Sequence, residues 1–314
     1  MDWFYLGGAA LAGVVLWLAL EFLAPQRMAR LWLGLERRRA GQTLKRQAIA
    51  GGIDMPYLEG GRGEPLLLVH GFGGDKDNFT RLAGALTRHY RVIVPDLPGF
   101  GEATRDAALR YAVGDQVQRL HAFVSALGLP PLHLGGNSMG GFIAAEYAAT
   151  HPQQVKSLWL LDPAGTAAAH ASPMLRHYLA TGDTPLLLRK PEDIGVLLQA
   201  IAVKAPLLPP SVKTVLAQRA IADRALHARI LQQLVHESPT LEERLPAIAA
   251  PTLVVWGSED RILHPDGAAA LQARLPRCRV VLMCGIGHVP MMEAPAATAG
   301  DYLRFRAELQ GQAS

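Results

Sequence analysis

Three side chains in the 314-residue sequence are of types that attack acyl carbonyls when a fold brings them together: Ser138, Asp260 and His288. A serine hydroxyl is a weak nucleophile until a base takes its proton, and an imidazole needs a carboxylate to hold its tautomer and stabilise its positive form. Ser138 stands in Gly136-Asn137-Ser138-Met139-Gly140, a G-x-S-x-G pattern between the strand-like run Pro131 to Leu134 and the helix-like run Phe142 to Thr150. On so sharp a turn the flanking glycines let strand and helix pass without a Cβ clash. The turn also aims the Met139 N–H and the helix N-terminus at the place where an oxyanion would form. A second apolar run, Leu66 to Val69, leads into His70-Gly71-Phe72-Gly73-Gly74, whose Phe72 amide is the expected partner donor. Asp260 and His288 lie just past the strand-like runs Thr252 to Trp256 and Arg279 to Met283. Glu259 and Asp162 are rival acids, whereas Asp96, crowded by Pro98 and Gly99, reads as a turn residue with a structural role. The other ten histidines have no comparable setting and none shows metal-ligand spacing, so no metal and no cofactor is expected.

The elements that must position these groups follow from periodicity. Leu44 to Ile49 and Ile53 to Leu58, split by Gly51-Gly52, read as a hairpin, and Arg91 to Pro95 and Ser157 to Asp162 as short buried strands. Asn78 to His89 and Val113 to Leu127 carry helical spacing. Strands alternating with helices imply a mostly parallel sheet with helices on both faces, an α/β protein. From about 164 to 246 the pattern changes to helices broken by prolines with no convincing strand, an insertion placed to cap the site. Its Leu197, Leu198 and Ile201 either glue the cap to the body or line an acyl pocket, and both readings stand at this point.

Half of the residues are apolar, enough for one large core, and the formal net charge is +4. Nucleic acid is excluded as a partner because the basic excess gathers near the N-terminus, with no aromatic-interleaved basic platform in the body. Cys278 and Cys284 would sit about 20 Å apart on an extended strand, too far to bond. Residues 1–24 are apolar from Trp3 onward except at Glu21, long enough for a membrane-crossing helix. Asp2 precedes that run and no small-x-small site ends it, so a retained anchor is expected in place of a cleaved signal. Gly7, Ala10 and Gly13 offer a close helix-packing face, which makes a homodimer through the anchor a further expectation. Residues 25–42 follow as a juxtamembrane amphipathic helix, with Met28, Leu31, Trp32 and Leu35 at helical spacing among arginines. The arginines place the body in the cytoplasm by the positive-inside rule.

From residue 43 to the end the chain resembles the α/β-hydrolases of the bacterial lipase and esterase type. "HGFGGDKDNF", "VPDLPGFG", "GNSMGG", "WGSEDRIL" and "GIGHVPMMEAP" stand in family order. With its single N-terminal span it looks most like the membrane-anchored bacterial lipases and phospholipases A. The resemblance implies an α/β-hydrolase fold with a helical cap, Ser138, Asp260 and His288 as triad, and Phe72 and Met139 as oxyanion donors. It implies hydrolysis of lipid esters through an acyl-enzyme, with membrane lipid and the ester substrate as partners. In the anchored relatives the catalytic domain faces the periplasm from the inner membrane, against the charge rule, and the resemblance tips the expectation to that side. "GNSMGG" also occurs in carbon–carbon bond hydrolases of ring-cleavage products, where Arg189 or Lys190 would hold a substrate carboxylate. A non-catalytic membrane scaffold on the same fold is the third reading.

Overall fold

The computed structural model describes residue 15 and residues 17–312. Eight strands, β1 (Gln42–Ile49), β2 (Ile53–Gly60), β3 (Pro65–Val69), β4 (Arg91–Pro95), β5 (Leu132–Asn137), β6 (Val155–Leu161), β7 (Thr252–Gly257) and β8 (Cys278–Met283), form one sheet in the order β1-β2-β4-β3-β5-β6-β7-β8. The expected hairpin is present, with Ile49 opposite Ile53, and β2 is also antiparallel to β4. All pairs from β4 through β3 to β8 are parallel. Leu66, Leu67, Leu68 and Val69 are all fully buried, because helices cover both faces and no position on such a strand meets water.

The body helices are α1 (Pro25–Arg39), α2 (Thr80–Leu86), α3 (Val113–Ala126) and α4 (Met139–Thr150). The cap follows β6 as α5 (Pro173–Thr181), α6 (Asp193–Ile201), α7 (Pro210–Ala222) and α8 (Arg224–His236), and the chain closes with α9 (Gly267–Gln272), α10 (Pro290–Glu293) and α11 (Pro295–Gly311). One face of the sheet packs Tyr57, Phe123 and Phe142, and the other Phe79, Trp159 and Tyr302. The prolines of the cap start helices as well as interrupting them. Pro173 opens α5 and Pro210 opens α7, where a missing N–H costs nothing because the first turn would leave it unpaired. The helix expected over Asn78 to His89 is shorter. It begins as a 3-10 turn at Lys76–Phe79, fixed by a capping box between Asp75 and Asn78, and is α-helical only over Thr80–Leu86.

The expected anchor lies mostly outside the described residues, as do Gly7, Ala10 and Gly13. Among the described residues no helix is long and apolar enough to cross a membrane, and residues 17–23 are helical. The helix expected within residues 25–42 is present over Pro25–Arg39. Met28 and Ala29 are buried against the protein, while Leu31 and Leu35 face outward. Glu21, the charge in the apolar run, explains the docking. It is buried, and its carboxylate accepts from Trp32 Nε1 at 2.5 Å and from the Ser211 amide of α7 at 3.0 Å. A buried carboxylate must find donors, and the first turn of a cap helix supplies one.

His133, near the start of β5, is fully buried with Nδ1 on Ser157 Oγ at 2.9 Å and Nε2 on Glu64 Oε2 at 3.0 Å. Burial pulls its pKa down to about 4 against the opposing pull of Glu64. The unfolded imidazole titrates near ~6.5, so below that value the unfolded chain binds more protons than the folded one. The stabilisation is therefore complete above about pH 6.5 and is lost as the pH falls toward 4. Urea midpoints measured across this window should drop for the wild type and drop less for His133→Gln. Parallel midpoint curves for the two would remove His133 as the cause.

Candidate active site

Ser138 sits between β5 and α4 with φ 56° and ψ −119°. A non-glycine residue in such a conformation costs on the order of 1–3 kcal/mol, so its surroundings must hold it there. The Ser138 amide donates to the Leu161 carbonyl at 3.0 Å, and its own carbonyl accepts from the Phe142 and Ala164 amides, each at 3.0 Å. Two glycines make the turn passable. A Cβ at Gly136 would lie 2.2 Å from the Gly140 oxygen, and one at Gly140 would lie 2.2 Å from the Val69 oxygen. Behind the turn, α4 is buried from Met139 through Ala148, which is why that stretch is largely apolar, with Glu146 its one charge.

Asp260 and His288 meet at the ends of β7 and β8, as expected. Asp260 Oδ2 accepts from His288 Nδ1 at 2.8 Å and from Trp256 Nε1 at 3.2 Å, and Oδ1 accepts from the Ile262 and Leu263 amides at 2.8 and 3.0 Å. With the Nδ1 proton committed to a carboxylate, Nε2 is left as the basic nitrogen. The imidazole is held by its backbone as well. The His288 amide donates to the Ile201 carbonyl at 2.8 Å, and its carbonyl accepts from Asn137 Nδ2 at 3.0 Å. Ser138 and His288 line the same cavity. Ser138 Oγ makes no hydrogen bond to His288 in this state, and such contacts commonly tighten only around a reacting substrate.

The rival acids separate by environment. Glu259 is exposed. Asp162 is fully buried at φ 43°, its Oδ1 accepting from the Gly257 amide at 2.8 Å and its Oδ2 without a partner. Burial first, and the neighbouring Asp260 next, push the Asp162 carboxyl well above the usual range and favour its protonated form. Asp96 has the structural role expected of it. Its carboxylate accepts from the Lys76 amide at 2.7 Å, from Lys76 Nζ at 2.9 Å and from the Glu102 amide at 2.7 Å.

Facing Ser138, the loop after β3 carries Phe72, whose ring meets Phe100 and His227 edge-on at 5.6 and 5.7 Å. Among the described residues neither the Phe72 nor the Met139 amide donates to another protein group. The cavity of about 140 Å³ is bounded by Ser138, His288 and Phe72 on the body side. Leu197, Leu198 and Ile201 of α6 line it, with Leu186 and Leu188 beside them. Leu208 also lines it, whereas its neighbour Leu207 is 89% exposed.

The cations are not where the sequence pointed. Arg189 pairs with Asp183 on the outer face of the cap, and neither it nor Lys190 lines the cavity. Arg219 of α7 lines it, with Nη1 donating to Asp75 Oδ2 at 2.9 Å. His227 of α8 is a second residue that sequence reading missed. It packs 5.0 Å from Phe100 with Nε2 3.2 Å from the Gly99 carbonyl oxygen, and burial lowers its basicity. Helical spacing shows which cap residues share a face but not which face turns to the cavity.

A half-buried serine on a strained turn, an imidazole backed by a buried carboxylate, and two uncommitted amides suit attack on a carbonyl and departure of an alcohol. Residues 64–295 match the family described as alpha/beta hydrolase fold. Lipase 1 of Psychrobacter immobilis is 44% identical over 283 residues, covering 88% of each chain. A monoacylglycerol lipase of Xenopus laevis is 30% identical over 319 residues, covering 97% of this chain and 94% of its own. The crystal structure of a membrane phospholipase A, a bacterial virulence factor, superposes with a TM-score of 0.89 at 41% identity and 99% coverage of both chains. The chain belongs to the α/β-hydrolase fold family, among its carboxylic ester hydrolases of the bacterial lipase and esterase type.

Proposed function

We propose that the protein is a membrane-anchored serine hydrolase that cleaves carboxylic esters of lipids, as a lipase or a phospholipase A or lysophospholipase, through an acyl-enzyme. The observation that carries this reading is one cavity in which Ser138 and the Asp260-backed His288 share walls with aliphatic cap side chains. Ser138 Oγ attacks the acyl carbonyl while His288 Nε2 takes the hydroxyl proton. The oxyanion rests on the Phe72 and Met139 amides. His288 returns the proton to the leaving alcohol, and water, deprotonated by the same nitrogen, then releases the fatty acid. Leu197, Leu198 and Ile201 are assigned to the acyl chain. A ring-cleavage hydrolase would need a cation for its substrate carboxylate. Arg219 faces the cavity but is tied to Asp75, and the aliphatic lining favours an acyl chain.

Residues 1–24 are assigned to a single membrane anchor, a reading supported by the close likeness over the whole chain to a membrane phospholipase A, and the catalytic domain is assigned to the periplasmic side on the family resemblance alone.

Release of fatty acid from a lysophospholipid, a diacyl phospholipid and a series of p-nitrophenyl esters tests the reaction. Ser138→Ala is expected to lower turnover at least ~10³-fold while the fold persists. Near-wild-type turnover in that variant, or no ester cleavage by the wild type, would return the carbon–carbon hydrolase and scaffold readings. The choice of acid is tested separately. Asp260→Asn should cost about 10⁴-fold in kcat, and Asp162→Asn, which resembles a protonated carboxyl, should cost less than about tenfold. The reverse ranking would make Asp162 the working acid. For the anchor, the full chain should stay with membranes through an alkaline carbonate wash and a chain lacking residues 1–20 should not. Retention of the shortened chain would assign attachment to another surface.

A further inference from the structure

The oxyanion loop has little stiffness of its own. Gly71, Gly73 and Gly74 flank Phe72, and Gly73 sits at φ 70°. An amide that stabilises an oxyanion must nevertheless hold its place within about 0.5 Å. The rigidity is imported by the three residues that follow, Asp75, Lys76 and Asp77, each tied to a different part of the molecule. Lys76 is buried against Asp96 at the end of β4, with Nζ to Oδ2 at 2.9 Å. Asp75 accepts from Arg219 of the cap at 2.9 Å and from the Asp77 amide at 2.9 Å. Asp77 accepts both arms of a fork from Arg37 of α1, Nε to Oδ1 at 2.7 Å and Nη2 to Oδ2 at 2.6 Å.

The last tie comes from outside the hydrolase unit. Arg37 precedes residues 64–295, the part that matches the family, and lies on the helix that follows the apolar N-terminal run. Neither Arg37 nor Asp77 lines the cavity, and their side chains are only 15% and 11% exposed. A bidentate guanidinium–carboxylate pair fixes orientation as well as distance. Its Asp77 stands five residues from Phe72, within the capped 3-10 turn Lys76–Phe79 that follows the loop. We infer that Arg37 is a positioning residue for the oxyanion loop, so that the juxtamembrane helix is part of what holds the Phe72 amide in register with Ser138. This rests on the assignment of Phe72 as an oxyanion donor.

The test uses the full chain in detergent with p-nitrophenyl butyrate, a substrate that needs no membrane. Wild-type cleavage abolished by Ser138→Ala checks the underlying reaction first. In Arg37→Gln, kcat per folded molecule should fall about 5- to 50-fold at little-changed KM. Affinity for an alkylboronic acid, which becomes tetrahedral on the serine, should fall by a similar factor. Arg37→Lys, a point charge without the fork, should recover only part of the loss. The exchanged pair Arg37→Asp with Asp77→Arg should recover more than either single change. All assays are run at least 15 °C below each variant's own melting temperature. Unchanged kcat in Arg37→Gln, a rise in KM alone, or undiminished boronate affinity would each overturn the inference while leaving the ester-hydrolase reading standing.

Discussion

A Cβ built on Gly140 would lie only 2.2 Å from the Val69 carbonyl oxygen, so α4 packs against the end of β3 with no room for a side chain there, and Ser138 stands at the head of that helix. The chain leaving β5 has to reverse into a helix within one residue, which forces Ser138 to positive φ. Three backbone hydrogen bonds through Ser138 and the burial of α4 on all sides oppose the strain. The same closeness brings the β3 loop, with Phe72, beside the helix N-terminus that carries Met139. The positions of Ser138 and of the Phe72 and Met139 amides are thus linked through one packing contact.

The two buried acids beside His288 differ in their electrostatic setting. Asp162 and Asp260 are both buried, and their carboxylates and the His288 ring have ligand atoms all within 4.8 Å of one another. Two carboxylates so close in a low dielectric cannot both ionise cheaply. Donors decide between them. Asp260 receives bonds from Ile262, Leu263, Trp256 and His288, whereas Asp162 receives one from Gly257 and leaves an oxygen bare. The His288 ring is oriented by Asp260, the better supplied with donors of the two.

The cap and the N-terminal helix meet the body through polar ties set in otherwise apolar seams. Glu21 joins residues 17–23 to α7, Arg37 joins α1 to the turn after the Phe72 loop, and Arg219 joins α7 to the same turn. Apolar contact alone tolerates sliding, while paired charges with fixed geometry select one register. The cavity wall can therefore be aliphatic without leaving the cap's position undefined.

The placement of Ser138, Asp260 and His288 past strand ends was legible in the sequence because a strand-to-helix turn and two post-strand loops impose local residue choices, glycines above all, that survive in linear order. The parallel sheet was legible for a similar reason, since strands buried on both faces must be apolar throughout. Leu197, Leu198 and Ile201 were visible as a helical face, but two readings of that face stayed open until the cap was docked. Arg189 and Lys190 attracted attention by charge, yet Arg219 and His227 are the polar cap residues that line the cavity. Nor did the sequence show that α1 turns Met28 inward and Leu31 outward, or that Arg37 would meet Asp77 forty residues away. Those facts depend on how one helix is rotated against another. That rotation is set by the sum of long-range contacts, which leaves no periodic mark on the chain.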